Sequence, residues 1–129
     1  MQPKLLLQEL WNRNVSWDET LPPDILQRWI KWKHSLHTVS DLTIQRWYGT
    51  TGCDETIQLH VFADASTQAY CSVAYLRVIS TNDVHVNFLL GKSRLTPLKV
   101  KAVSIPRLEL QAAVTATRIK TAIFNALQT

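Results

Sequence analysis

The chain has 129 residues, of which 46% are hydrophobic, and a formal net charge of +4. This length and composition suit one sizeable core or two small ones, and they exclude a disordered or fibrous chain. The longest apolar runs, such as residues 5–7, are far shorter than the roughly 20 residues that cross a membrane, and too short for a signal peptide. We therefore expect an intracellular protein, cytoplasmic or nuclear, without a membrane partner.

The first 56 residues predict a small helical unit. One helix is expected over residues 3–12, and a second begins at Pro22-Pro23-Asp24 and is followed by apolar residues at helical spacing. All five tryptophans lie in residues 1–47, among basic residues, so two interpretations arise. Their rings could stack on nucleic-acid bases, but packing in a core or between domains is the more common role.

Residues 57–129 predict three strands and a long helix. The strands are expected over residues 57–63, 70–79 and 84–90, with a turn at 80–83. Short connections between consecutive strands imply an antiparallel meander. Ser104-Ile105-Pro106 is a typical helix start, and an apolar stripe follows it at Leu108, Ala112, Ala116, Ile119, Ile123 and Leu127. The fold class is therefore α/β, and the polar stretch at 48–55 separates two domains, 1–56 and 57–129.

The two predicted domains differ in charge. Residues 57–129 hold eight basic and three acidic side chains, whereas residues 1–56 hold six and seven. The second domain is therefore the candidate for a polyanionic partner, although a solvated basic face is a common alternative. Cys53 and Cys71 have no CxxC spacing and no disulfide-rich context, so we expect two reduced thiols and no zinc site.

Two carboxylates, Asp64 and Glu109, are the candidate metal ligands. Asp64 closes the first predicted strand, and Glu109 lies in the first turns of the long helix. Acidic side chains from separate elements can hold divalent ions that position an attacking water and a leaving oxygen. The alternative is a solvated aspartate after a strand and a glutamate that interacts with the helix dipole.

Two other motifs are rejected, the first on its spacing and the second because it lacks further ligands. Gly91-Lys92-Ser93 would need a glycine five residues earlier to be a phosphate loop, and Val86 stands there inside a strand. His34 and His37 are three residues apart on a helix, but no further ligand is evident nearby, so a surface pair is expected.

Several short segments together resemble the polyprotein of BEL/Pao-type retrotransposons. Residues 6–11, 17–18 and 21–22 are similar to the segment that follows the polymerase in those elements. The second half carries Phe62-Ala-Asp64-Ala-Ser66, Ala69 to Tyr75, Lys92-Ser-Arg-Leu-Thr-Pro97 and Ile105-Pro-Arg-Leu-Glu109-Leu. The combination is specific, whereas each piece alone is weak.

The resemblance implies a connecting segment after reverse transcriptase, followed by the start of a ribonuclease H-like domain. It assigns Asp64 as the metal-binding aspartate of the first strand and Glu109 as the glutamate of the first helix. The implied cofactor is Mg²⁺ or Mn²⁺, in the complete domain only, and the implied partners are an RNA–DNA hybrid and the rest of the polyprotein. The implied chemistry is metal-assisted hydrolysis of the RNA strand of the hybrid.

The chain also departs from that family pattern. The family carries a third aspartate on a later strand and usually a fourth acidic residue on a later helix, but no Asp or Glu follows Glu109 here. We therefore expect a truncated ribonuclease H-like unit, a fragment of a longer polyprotein or of a decayed element. Two ligands without their companions should bind metal weakly, so no independent nuclease activity is expected.

Two other functions remain open at this point. A non-catalytic module could contact nucleic acid through five basic side chains, Lys92, Arg94, Lys99, Lys101 and Arg107. Alternatively, Asp64-Ala65-Ser66 superficially resembles the Asp-Thr/Ser-Gly of retroviral-type aspartic peptidases. That peptidase would have to be a homodimer, Ser66 would replace the usual glycine, and Glu109 would have no role.

Overall fold

The computed structural model describes residues 1–44, 48, 55–98 and 103–127, and the chain divides into two compact units. The first unit is Met1–Thr43 and the second is Ile44–Thr129. The division lies after residue 43, whereas the domain boundary predicted from the sequence lies after residue 56. No helix in the described part of the chain is long and apolar enough to cross a membrane.

The first unit is a pair of helices. Helix α1 covers Gln2–Asn12, helix α2 covers Pro23–Ser35, and a single 3₁₀ turn, Leu36–Val39, follows α2. A proline lies in the first turn of each helix, where its missing N–H removes no intrahelical hydrogen bond. Leu6 of α1 and Ile25 of α2 are its buried hydrophobic side chains among the described residues. Both predicted helices are therefore confirmed.

The tryptophans of this unit lie mostly on its surface. Trp17 is 81% exposed and packs edge to face on Trp11, with ring centroids 6.2 Å apart. Trp29 and Trp32 form a second ring pair at 4.9 Å. Within the first unit, core packing therefore does not account for Trp11 or Trp17, and Trp47 lies outside the described residues.

Four charged side chains connect α1 to α2. Arg13 donates hydrogen bonds to Glu9 and to both oxygens of Asp24, and Arg28 donates to Glu9 at 2.6 Å. The guanidinium of Arg28, followed by that of Arg13, holds the pKa of Glu9 below its ordinary value. Arg13 likewise lowers the pKa of Asp24. These ion pairs are exposed, so each contributes little to stability.

We expect the first unit to lose stability in acid through these ion pairs. Because the pKa values of Glu9 and Asp24 are lowered by folding, their contribution is complete above the unfolded values near 4 and is lost as the pH falls through the folded values. Tryptophan fluorescence reports chiefly on this unit, because four of the five tryptophans lie in residues 1–43. The melting temperature of the first unit should fall by a few degrees below about pH 4.

The double variant Arg13→Gln/Arg28→Gln should show a flatter pH dependence than the unmodified chain. The matched control is Lys31→Gln/Lys33→Gln, which removes the same charge from α2 and should keep the steeper dependence. Equal pH profiles for all three proteins would contradict this role of the ion pairs.

The second unit contains the antiparallel meander predicted from the sequence. Strand β1 is Thr56–Ala65, β2 is Ala69–Ile79 and β3 is Val84–Leu95, and they form one sheet in the order β1-β2-β3. The backbone N–H of Ser66 donates to Ala69 in the first turn, and that of Ser80 donates to Asp83 in the second. The α/β fold class, with a helical first segment followed by the meander and a long helix, is confirmed.

Strand β3 extends five residues beyond its predicted end at residue 90. Gly91, Lys92, Ser93 and Arg94 interrupt the apolar pattern, but they stay paired with β2 in a ladder that continues to Leu95. Backbone pairing with β2 therefore overrides the weak strand preference of this sequence. The residues that the sequence analysis placed after the strand, Lys92 and Arg94, belong to β3.

Helix α3, Ile105–Leu127, covers one face of the sheet and packs against β1 and β2. The buried side chains of the central strand alternate along it, as expected for a strand with one covered face. On the covered face they are Tyr70, Ser72, Ala74, Leu76 and Val78, and α3 contributes Leu108, Ala112 and Ile119; Ala69, at the start of the strand, is also buried. The predicted apolar stripe of α3 is wrong only at its end, because Leu127 is exposed.

The buried hydroxyl of Ser72 connects the sheet directly to the helix. It donates a hydrogen bond of 2.8 Å to the backbone carbonyl of Ala112, about two turns into α3. Both residues are almost completely buried. A small residue at each position allows this close approach of strand and helix.

The other face of the sheet carries an aromatic row across all three strands. Phe62 of β1 contacts Tyr75 of β2, which contacts Phe88 of β3, with centroids 6.2 and 5.9 Å apart. His60 stacks beside Phe62 at 6.4 Å. This face is exposed to a large degree, with Phe62 at 58%.

Candidate metal and nucleic-acid site

Asp64 lies at the end of β1 and is exposed. Its Cα pairs with that of Cys71 on β2, and its Oδ1 accepts a hydrogen bond of 2.8 Å from the backbone N–H of Ala65. The remaining oxygen lone pairs face outward and suit a hard divalent cation by donor type.

Glu109 lies in the first turns of α3 and is also exposed. It directly follows Leu108, which is 1% exposed and anchors the helix on the sheet. The backbone of Glu109 is therefore fixed by packing, whereas its carboxylate is free to contact solvent or a ligand.

Tyr70 brings the backbones of the two acids to the same end of the second unit. Its ring forms a buried cluster with Leu108 and Ala112, and Ala65 packs against this cluster. Asp64 is the residue before Ala65, and Glu109 is the residue after Leu108. The two candidate ligands thus flank one packed cluster.

The strand register places the two acids on different sides of β1. Ala65 pairs with Tyr70, whose side chain is buried beneath α3, so these two residues share the helix-covered face. Asp64 pairs with Cys71 and therefore occupies the alternate face, because side chains alternate along a strand. A metal shared by Asp64 and Glu109 must lie at the end or outer edge of β1.

Two carboxylates alone make an incomplete site. Within residues 1–44, 48, 55–98 and 103–127, no group of three or more His, Cys, Asp or Glu side chains could hold a metal ion. The donor types fit Mg²⁺ or Mn²⁺, but such ions usually also need water or substrate oxygens for their remaining positions. His34 and His37, whose rings contact edge to face at 5.6 Å, do not belong to a group of three potential metal ligands either.

Five basic side chains were predicted to contact nucleic acid. Three of them belong to the part of the chain that the structure describes, and they lie near the same end of the second unit. Arg94 pairs with Tyr70 and Lys92 with Ser72, so both occupy register positions of the helix-covered face. Arg107 precedes Leu108 in the first turn of α3. All three side chains are exposed. The other two, Lys99 and Lys101, lie outside the described residues.

The sequence analysis missed Tyr70 as the residue that organises this site. Ala65, Tyr70 and Arg94 form one cross-strand row, with Leu108 packed over its centre. The signal available in the sequence was the alternation of β2, in which residues 70, 72, 74, 76 and 78 form one face. The aromatic row on the opposite face follows from the same alternation and was also missed.

Comparison with known proteins identifies the family. A family model described as Pao retrotransposon-like RNaseH-like domain matches residues 1–129. The chain belongs to this family. The resemblance to BEL/Pao-type retrotransposon polyproteins is therefore confirmed. No curated protein and no solved structure matches the chain significantly.

Membership of the Pao RNaseH-like family agrees with the geometry of the second unit. The meander of three antiparallel strands and the long helix that the sequence predicted for residues 57–129 are consistent with a truncated RNaseH-like unit. In this Pao RNaseH-like domain, the meander carries Asp64 and the helix carries Glu109.

Proposed function

We propose that this Pao RNaseH-like domain belongs to a retrotransposon polyprotein that hydrolyses the RNA strand of RNA–DNA hybrids with divalent metal ions. In this proposal, the 129 residues supply two of the acidic ligands, Asp64 and Glu109, and a basic surface for the hybrid. The remaining polyprotein supplies the other ligands, so the chain alone binds the hybrid without cleaving it at an appreciable rate.

One observation carries this proposal. The backbones of Asp64 and Glu109 flank the same Tyr70 cluster, in a chain that matches the RNaseH-like family along its whole length. The third acid, Asp83, lies in the turn between β2 and β3 and accepts a hydrogen bond from the N–H of Val84.

The side chains have distinct roles in this proposal. Asp64 and Glu109 provide anionic oxygens, and the bound divalent ions would polarise the scissile phosphate and lower the pKa of the attacking water. Arg94, Lys92 and Arg107 neutralise backbone phosphates and hold the hybrid beside the carboxylates. Tyr70 and Leu108 are positioning residues, because they hold the two strands and α3 in register beneath the acids.

A paramagnetic probe can test whether the two acids share an ion. We expect Mn²⁺ to broaden the NMR signals of residues near both Asp64 and Glu109, with a dissociation constant weaker than about 10⁻⁴ M. Asp64→Asn and Glu109→Gln should each remove the broadening at both positions. The control Asp83→Asn should leave it unchanged, because Asp83 lies in the β2–β3 turn, at the opposite end of the strands from Asp64.

The same variants define the activity expected of the chain alone. With Mg²⁺ or Mn²⁺, a labelled RNA–DNA hybrid should remain intact while being bound. Hybrid cleavage that disappears in Asp64→Asn would contradict the proposed inactivity. Broadening near Asp64 that persists in Glu109→Gln would contradict a shared ion.

The binding module without catalysis is the second candidate function, and the three exposed cations near Tyr70 favour it. If the chain is such a module, hybrid binding should be the same in both carboxylate variants as in the unmodified chain, and added metal should not change it. The aspartic peptidase has less support, because the matching family is RNaseH-like and because Asp64 lies inside a strand ladder. Peptide cleavage lost in Asp64→Asn but kept in Glu109→Gln would be its signature.

A further inference from the structure

The turn between β1 and β2, residues 66–69, lies directly beside Asp64 in the chain. Ser66, Thr67 and Gln68 are exposed, so hydrogen bonds rather than apolar packing give this turn its shape. We propose that Ser66 is a positioning residue, whose hydroxyl fixes the turn and thereby holds the carboxylate of Asp64 where it can bind a divalent ion. This inference rests on the metal-binding role of Asp64 in the proposed function.

The hydroxyl of Ser66 closes the turn. Its Oγ accepts hydrogen bonds from the N–H of Ala69 at 3.2 Å and from the N–H of Gln68 at 3.3 Å, and it donates to the carbonyl of Ala69 at 3.1 Å. The backbone N–H of Ser66 donates to the same carbonyl at 2.8 Å. Serine is common in turns for this reason, because its hydroxyl can pair with backbone groups two or three residues later.

Removing this hydroxyl would leave the N–H of Ala69 without its acceptor. Ala69 is only 9% exposed, so water replaces the acceptor poorly, and an unpaired donor at a buried position is unfavourable. On the other side of the turn, the N–H of Thr96 donates to the carbonyl of Gln68 at 2.9 Å and holds the turn to the end of β3. The hydroxyl of Ser66 is therefore the side-chain contact that secures the turn at the end of β1.

Ala65 connects the turn to the carboxylate. The N–H of Ala65 donates to Oδ1 of Asp64 at 2.8 Å, which fixes one carboxylate oxygen and leaves the other available to a ligand. Ala65 is the last residue of β1 and precedes Ser66, so the direction of its N–H depends on how the turn leaves the strand. A loosened turn should therefore release the carboxylate. Groups that orient a metal ligand commonly change metal affinity about 10- to 100-fold when they are removed.

Metal-free NMR spectra test the positioning directly. In Ser66→Ala, the amide proton of Ala65 should lose the chemical shift of a hydrogen-bonded N–H, because Asp64 is no longer held against it. The amide of Ala69 should exchange with solvent about tenfold faster, since its acceptor is gone. Ser66→Thr keeps a hydroxyl and should keep both signals as they are in the unmodified chain.

Mn²⁺ binding measures the consequence for the proposed site. Ser66→Ala should raise the Mn²⁺ dissociation constant about tenfold, measured by the broadening near Asp64, whereas Ser66→Thr should bind as the unmodified chain does. The matched control is Ser80→Ala, because the N–H of Ser80 closes the β2–β3 turn on Asp83 at the other end of the strands. It should change neither readout. A residue that only stabilised the fold would reduce the folded population without changing the dissociation constant of the folded protein.

The outcomes separate the role of Ser66 from the proposed function. An unchanged Ala65 amide or Mn²⁺ affinity in Ser66→Ala, the same losses in Ser66→Thr, or equal effects of Ser80→Ala would each overturn the role of Ser66. Rapid exchange of the Ala69 amide in the unmodified chain would also overturn it, even if Ser66→Ala did not fold. Absence of Mn²⁺ broadening near Asp64 in the unmodified chain would instead overturn the proposed function, and the metal-free signals distinguish the two failures.

Discussion

Replacing Leu108 with alanine is expected to destabilise the second unit by about 2–4 kcal/mol. Leu108 is 1% exposed and packs with Tyr70 and Ala112 at the start of α3. Truncation removes buried apolar surface and leaves a cavity that the sheet and the helix fill only in part. Urea unfolding followed by the amide NMR signals of β2 measures this loss without the signal of the tryptophans.

The matched control is Leu110→Ala on the same helix. Leu110 is 63% exposed, so its truncation should change the stability by no more than about 0.5 kcal/mol. Both variants carry the same chemical change and almost the same helix propensity, and they differ only in burial. Equal destabilisation by both would contradict the described packing of α3.

Hybrid binding is expected to depend steeply on salt. If three to five cations contact phosphates, affinity should fall about 40- to 500-fold between roughly 50 and 200 mM salt, because bound counterions are released. A titration of a fluorescent RNA–DNA hybrid at several salt concentrations gives the slope. An affinity that does not change with salt would remove the basic surface from the proposal.

Charge-removing variants locate the contacts. Lys92→Gln/Arg94→Gln should reduce the logarithmic salt slope by about 2, since each phosphate contact contributes about 0.9. Arg118→Gln/Lys120→Gln removes the same charge from a later part of α3, ten or so residues after Glu109. This control should leave the slope nearly unchanged. Equal reductions would mean that only the net charge of the unit matters.

Local sequence patterns predicted most of the fold. The alternation in residues 70–79, the turn at Ser80 to Asp83 and the start of α3 near Ser104 all agree with the structure, because each depends on neighbouring residues. The end of β3 could not be predicted locally. Gly91 and Lys92 are weak strand formers, and only their ladder with Val73 and Ser72 keeps them extended.

The candidate site was less accessible from the sequence than the fold. Residue type and element ends pointed to Asp64 and Glu109, but their relation in space depends on register. The pairing of Ala65 with Tyr70, and the packing of Leu108 over Tyr70, decide which side of β1 each acid occupies. The packing of Leu108 over Tyr70 joins residues 38 positions apart, beyond the reach of any periodicity argument.

The hydrogen bond from Ser72 to the carbonyl of Ala112 limits sequence variation at the centre of the fold. A glycine or alanine at position 72 would leave the space but would remove the donor. A valine or leucine there would have to push α3 away from the sheet, and the helix carries Glu109 with it. Bulky residues are therefore not tolerated at position 72. Variants that replace Ser72 with one should be less stable, and Glu109 should be displaced from its position beside the sheet.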